Sequence, residues 1–251
     1  MDSAVVSPFR IITGSSNTQG IKDVWPTAGA ANLGAYELPC NFPVLQKDSV
    51  FIVISPGIWV TGQPGTPLIY PLMNPDIFTL YATPGKVYTH VPTFSYKEGD
   101  TVLFNEDFEG ASTDYNTGMV WTKDSVKYGT HCGKITVGPN DSSVFACQVA
   151  YNGHAAPYTL TAGKEIWVEL DYKGDVPFNF GVIPHFYDGS TDTLGVVFYL
   201  PQANWTKEYI KLTALIGQEG AYSYSLYFQA LNPSGFAGGS VYLDNVRLIF
   251  L

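Results

Sequence analysis

Two successive β-sandwiches are what this sequence predicts, with no helical domain. Three observations predict it. From residue 165 onward, segment after segment alternates apolar and non-apolar residues at period two, the mark of strands half-buried in a sheet. Rings are abundant and charges scarce, at 15% aromatic and 14% charged residues, a balance that favours strands over charged helices. The 25 Gly and 17 Pro cut the chain into short runs, as all-β folds require.

In chain order, strands are expected at 9–13, 21–25, 34–38, 49–55, 77–82 and 86–96. Proline-glycine turns punctuate them at Ser55-Pro-Gly-Ile, Gln63-Pro-Gly-Thr and Thr83-Pro-Gly-Lys, with proline suited to the first corner and glycine to the second. This region, 9–97, reads as a small immunoglobulin-like or prealbumin-like sandwich. The polar stretch Tyr96-Lys-Glu-Gly-Asp-Thr is the boundary.

The second domain, 103–251, holds around nine expected strands, enough for two sheets. Four are clearest: 165–172, 178–187, 194–200 and 222–231. Their inward parities are Ile166/Val168/Leu170, Phe178/Phe180/Val182/Phe186, Leu194/Val196/Phe198/Leu200 and Leu226/Phe228/Ala230. The segment 206–219 carries Tyr209, Ile210, Leu212, Leu215 and Ile216, which suit either a helical stripe or a strand. Strands on both sides favour the strand.

Composition excludes several functions. A net charge of −9 and a pI near 4.7, with no Lys/Arg cluster, remove the basic footprint needed for nucleic acid or an anionic membrane. The longest apolar run, 50–54, is far too short to span a bilayer as a helix. The polar start lacks the features of an export signal, so a mature chain cut from a longer precursor is expected, with a cytosolic start as the alternative. Three cysteines make no disulfide framework. Cys132 and Cys147 lie symmetrically about Gly138-Pro-Asn-Asp, so they are either a cross-strand bridge or two small buried hydrophobes.

Asn105-Glu-Asp-Phe-Glu-Gly opens the second domain and Val241-Tyr-Leu-Asp-Asn-Val closes it. Here the chain resembles carbohydrate-binding modules of the jelly-roll, galactose-binding-like type. The resemblance implies a jelly-roll whose first and last strands lie side by side. It also implies a structural Ca²⁺ held by Asp107, Glu109 and Asp244, with carbonyls from the loop around Lys127-Tyr128-Gly129. Hard oxygen ligands suit that ion. Solvated edge acids are the plainer alternative.

Trp167-Val-Glu-Leu-Asp-Tyr-Lys, Asn204-Trp-Thr-Lys-Glu-Tyr, Ile21-Lys-Asp-Val-Trp and Leu33-Gly-Ala-Tyr-Glu-Leu-Pro extend the likeness over nearly the whole chain. They resemble outer-membrane lipoproteins of gut anaerobes. That likeness implies an extracytoplasmic, cell-surface or periplasmic protein with a lipid anchor in its precursor. The anchoring cysteine near the mature start has no counterpart here, since the first cysteine is Cys40.

The outward parities suggest a ligand face. Trp167, His185, Tyr187, Tyr199 and Tyr227 share a parity with Glu169, Asp171, Asn179 and Gln229. On one concave sheet, rings would stack on sugar faces while amides and carboxylates fix orientation. The same face could instead pack on the first domain or meet water. Trp121, Tyr115 and Tyr151 are loop aromatics, and Trp205 reads as an edge anchor.

Catalysis finds little support. Glycosidases of this architecture place carboxylates as Glu-x-Asp-x-x-Glu, and here Glu169-Leu-Asp171 is followed by Gly174 where the third acid belongs. The pair Glu169/Asp171 is expected to line a binding face or to meet Lys173 and Lys211. No Gly-x-Ser-x-Gly, phosphate loop or dinucleotide fingerprint occurs. The expected function is non-catalytic glycan binding. The alternative is a structural or adhesion subunit that binds a protein partner through the same rings. An endo-glycosidase is a third reading, on fold analogy alone.

Overall fold

The structure of the protein is a computed structural model that describes residues 5–7, 19–63, 65–110, 113–115, 118–148, 157–217, 220–233 and 237–251. Nineteen strands and no helix occur among them. The chain divides into two compact units, Met1–Asp100 together with Leu251, and Thr101–Phe250.

The first unit holds β1 (Val5–Ser7), β2 (Asp23–Ala28), β3 (Ala31–Asn32), β4 (Tyr36–Glu37), β5 (Asp48–Trp59), β6 (Pro67–Ile69), β7 (Met73–Asn74), β8 (Asp76–Ala82) and β9 (Thr93–Tyr96). β5 is the spine of a six-stranded sheet ordered β3-β2-β5-β6, with β4 on β2 and β8 on β5. A three-stranded sheet, β1-β9-β7, completes the unit. Val24, Val50, Ile52, Ile54 and Ile58 are buried on one face of the larger sheet. Ser55-Pro-Gly-Ile is not a turn: β5 runs through it, and Gly57 pairs with both Asp23 and Ile69. Thr83-Pro-Gly-Lys does turn, with Lys86 N donating to Thr83 O at 3.2 Å and Gly85 at φ 76°. The expected strand at 9–13 lies outside the described residues. Of 86–96, only β9 is strand.

The second unit is a jelly-roll β-sandwich. Its strands are β10 (Thr101–Glu106), β11 (Val120–Thr122), β12 (Cys132–Val137), β13 (Ser143–Cys147), β14 (Ile166–Gly174), β15 (Phe178–Phe186), β16 (Leu194–Tyr199), β17 (Gln202–Lys211), β18 (Ala221–Leu231) and β19 (Gly239–Phe250). One sheet runs β11-β12-β19-β14-β17, with β10 beside β19; the other runs β13-β18-β15-β16. The two bury one core between them, in which Ile166, Val168 and Leu170 of β14 meet Phe178, Phe180, Leu226 and Phe228. In β19 the bulge at Asn245 (φ 49°) resets the alternation, so Val241 and Leu243 before it and Val246 and Leu248 after it all face inward.

β17 settles the helix-or-strand choice for its residues as strand, followed by a turn at 213–217. The turn at Gly138–Asp141 carries the chain from one sheet to the other, because β12 pairs with β11 and β19 while β13 pairs with β18. Cys132 and Cys147 therefore do not face each other, and neither forms a disulfide.

Candidate functional site

The expected single ligand face is divided between the two sheets. Trp167, Glu169 and Asp171 point away from the core on β14, in the larger sheet. All three are buried. Glu169 Oε2 meets Lys207 Nζ at 3.2 Å and Arg247 Nη1 at 3.9 Å, and Asp171 Oδ2 accepts from Asn245 Nδ2 at 3.1 Å. Lys211, expected to meet these acids, pairs instead with Glu165 at 3.0 Å and lies over the Trp167 ring. Buried charges must be paired, and Lys207, Arg247 and Asn245 supply partners to these two acids. Tyr199 is a further correction. A bulge at Val196, opposite Phe180 and Gly181, shifts the alternation of β16, so Tyr199 enters the core beside Phe178 and Tyr172, while Phe198 and Leu200 face outward.

Asn179, Tyr227 and Gln229 come together with His185 on the outward face of the smaller sheet. Register places Phe198, Asn179, Gln229 and Phe145 directly opposite one another across β16, β15, β18 and β13. The row spans three strand spacings, about 14 Å. Its ends are rings, Phe198 at 52% exposure and Phe145 at 37%. Its middle is polar: Asn179 Nδ2 donates to Gln229 Oε1 at 3.3 Å, and Gln229 Nε2 donates to Ser143 Oγ at 3.2 Å. Each amide and the serine hydroxyl keeps further hydrogen-bonding capacity for a ligand.

Beside this row, Tyr227 lies against Gly181, where any Cβ would overlap its ring, and stacks on Phe145 with centroids 4.9 Å apart and planes at 25°. Further along, His185 Nε2 meets Ser225 Oγ at 3.0 Å. Burial pushes the imidazole below its ordinary pKa, so it is neutral at pH 7. Tyr187, 85% exposed in the turn after β15, pairs with Tyr222 at 4.9 Å. No Lys or Arg belongs to the row or to its neighbours Tyr227, Ser225 and His185. Phe145 and Phe198 were not legible as face residues. Phe145 precedes no clear alternation, and Phe198 falls on the apparent inward parity.

The acidic residues at the domain's two ends, expected as calcium ligands, accept hydrogen bonds from the backbone around them. Glu109 accepts from Thr130 N at 2.8 Å, His131 N at 2.9 Å and Thr130 Oγ1 at 2.8 Å. Partial burial pushes its carboxyl up, but these donors more than offset that, and it sits below its ordinary value. Asp244 accepts from Tyr128 N at 3.1 Å and Asn245 N at 2.8 Å, and burial, with Asp171 and Glu109 nearby, pushes it up to about 7. Asp107 caps Glu109 N at 3.2 Å. The loop 128–131 thus turns N–H groups, not carbonyls, toward two of the three carboxylates. Gly129, at φ 72°, lets the backbone approach Glu109 more closely than a side chain would permit. Among the described residues no three His, Cys, Asp or Glu side chains converge as metal ligands. In this arrangement Glu109 and Asp244 brace the loop through its N–H groups.

The loop aromatics divide. Tyr115 is in the core. Trp121 stacks on His131 at 3.6 Å and donates to Phe108 O at 2.7 Å. Trp205 sits on the edge strand β17 and donates to Ser125 O at 3.0 Å. Tyr151 lies outside the described residues. No helix of the described residues is long and apolar enough to cross a membrane.

No family model and no curated protein matches the chain. Among solved structures it is similar to the CBM22-1 xylan-binding domain of Paenibacillus barcinonensis Xyn10C. The TM-score is 0.43 and the identity 15%, covering 61% of this chain and 97% of that one. It is also similar to the family 30 carbohydrate-binding module of the cellulosomal cellulase Cel9D-Cel44B of Clostridium thermocellum (0.41, 13%, 59% and 96%). A third is TmCBM61 in complex with β-1,4-galactotriose (0.34, 13%, 60% and 88%).

Proposed function

We propose that the protein is a non-catalytic glycan-binding protein whose site is the outward face of the β13-β18-β15-β16 sheet. The observation that carries this reading is the row Phe198-Asn179-Gln229-Phe145, two exposed rings bracketing a hydrogen-bonded amide pair. Sugars offer apolar C–H faces to rings and hydroxyls to amides, so this alternation suits a short oligosaccharide lying across the strands. The absence of Lys and Arg from the row favours a neutral glycan over a uronate or sulfated one. The non-catalytic reading is supported by Glu169 and Asp171, which are buried against Lys207, Arg247 and Asn245. An extracytoplasmic, cell-surface lipoprotein is the setting we infer, from composition and resemblance alone.

The test is binding of the 251-residue protein to a panel of neutral and acidic polysaccharides, with and without chelator. Retention on a neutral glycan is expected, weakened about tenfold by Phe145→Ala, as for a ring at the centre of a contact. Phe145 is partly exposed, so the variant stays folded. Chelator is expected to leave binding unchanged, because backbone N–H donors already brace Glu109 and Asp244; loss of binding on chelation would assign these carboxylates to a metal. Failure to retain any glycan, with capture of a protein partner lost in Phe145→Ala, would replace this reading with that of an adhesion or assembly subunit.

A further inference from the structure

The first unit contains a cavity of about 750 Å³, within the size range of small-molecule pockets. Its floor is the inward side of the large sheet, with Ile52 from β5 and Phe78 and Leu80 from β8. One wall is the loop 40–46, which contributes Phe42 and Val44; the other is the loop 82–90, which contributes Val87. Val87 stands 90% exposed at the rim. This is more apolar surface than a loop needs for its own packing.

Among the described residues, the carboxylate nearest the cavity lining that a contact shows is Asp76, held by His90. The chain carries 22 Asp and Glu against 13 Lys and Arg, yet no acid among the described residues lines the cavity. Lys86 lines it, beyond Gly85 of the turn, and makes no ion pair among the described residues. His90, also in the lining, is turned to Asp76 at 2.7 Å and stacks on Phe78 at 4.0 Å. An apolar trough with one available cation at its mouth complements a molecule with an apolar body and a single negative head.

We propose that this cavity binds a small amphipathic anion, with the apolar body over Ile52, Phe78 and Leu80 and the acidic head at Lys86. A long-chain carboxylate is the simplest member of the class. Cys40 lines the same cavity and is partly buried, which provides an internal reporter.

The experiment titrates the 251-residue protein with decanoate and with decanol by calorimetry. In parallel, alkylation of Cys40 by iodoacetamide is followed by peptide mass mapping, with Cys147 of the second unit as control. One-to-one decanoate binding is expected, with alkylation slowed at Cys40 and not at Cys147. Lys86→Glu and Val87→Asp change exposed positions and leave the fold intact; each is expected to weaken decanoate about tenfold or more. Binding of decanol as tight as that of decanoate would overturn the anionic head. No decanoate binding, binding indifferent to both variants, or binding without protection of Cys40 would overturn the site. Glycan retention belongs to the second unit and is expected to be unchanged in both variants, so the two proposals fail separately.

Discussion

Tyr227 owes its position to what Gly181 lacks. A methyl group there would overlap the tyrosine ring on one side and the backbone carbonyl of Leu194 on the other. The ring is a flexible end that can rotate away, whereas the carbonyl belongs to the β15–β16 ladder and cannot. Gly181→Ala is therefore expected to cost about 1–3 kcal/mol through overpacking. It should also displace Tyr227 from Phe145 and weaken glycan binding. Thermal unfolding and glycan affinity, measured on the same preparation, check both effects. A variant with unchanged stability and unchanged affinity would show that the ring is not seated as described. At this scale the sequence was partly readable. Tyr227 and Gln229 could be chosen as outward residues because β18 alternates without interruption from Ser223 onward past β15. The glycine beneath the ring carries no pattern of its own.

Strands such as β14 and β18 were legible because period two survives along their inward faces. β16 was not, because Val196 bulges out of its own strand and flips the alternation partway along it, and the residue types around Val196 carry no mark of that bulge. The assignment of a strand to a sheet was equally hidden. Trp167 and Asn179 both point outward, yet on opposite sides of the sandwich, and local sequence does not distinguish those sides. The end of β10 supports a prediction of its own. Glu106 there is buried and pins the following loop, accepting from Phe108 N at 2.9 Å and Asp114 N at 2.8 Å. Burial pushes its carboxyl up to about 7, with Asp114 and Asp107 adding to the rise and the two N–H bonds opposing it. A carboxyl raised in the folded state binds more protons folded than unfolded, from its ordinary value near 4.5 up to about 7. Its stabilising contribution is complete below that window and lost as pH rises through it. Asp244, facing Asp171 and Glu109, acts in the same direction; Glu109, held low, acts weakly in the other. The melting temperature is therefore expected to be higher at pH 5 than at pH 8, and Glu106→Gln is expected to flatten the difference. A wild-type melting temperature no higher at pH 5, or a Glu106→Gln profile that coincides with the wild type, would contradict this account.

At the scale of the molecule, the second unit has sheets and a core cluster of its own. Every strand from β10 to β19 hydrogen-bonds only within that unit. Its core, from Phe104 to Leu248, draws on no residue of the first. β10 lies along β19 with Thr101 opposite Phe250, so the two ends of the unit are paired to each other rather than left as free edges. A domain of this size buries roughly 70% of the surface that its unfolded chain exposes, which is enough for independent stability. A fragment of residues 101–251 is accordingly expected to be soluble, to unfold in one cooperative transition, and to retain whatever glycan affinity the full chain shows, because the row from Phe198 to Phe145 lies wholly within it. Decanoate should not protect any cysteine of this fragment, since the cavity with Cys40 is left behind. Circular dichroism during melting, followed by glycan retention, checks the claim. A fragment that unfolds without cooperativity would show that the sandwich depends on the first unit for its stability. A well-folded fragment without glycan affinity would show that the face is incomplete on its own.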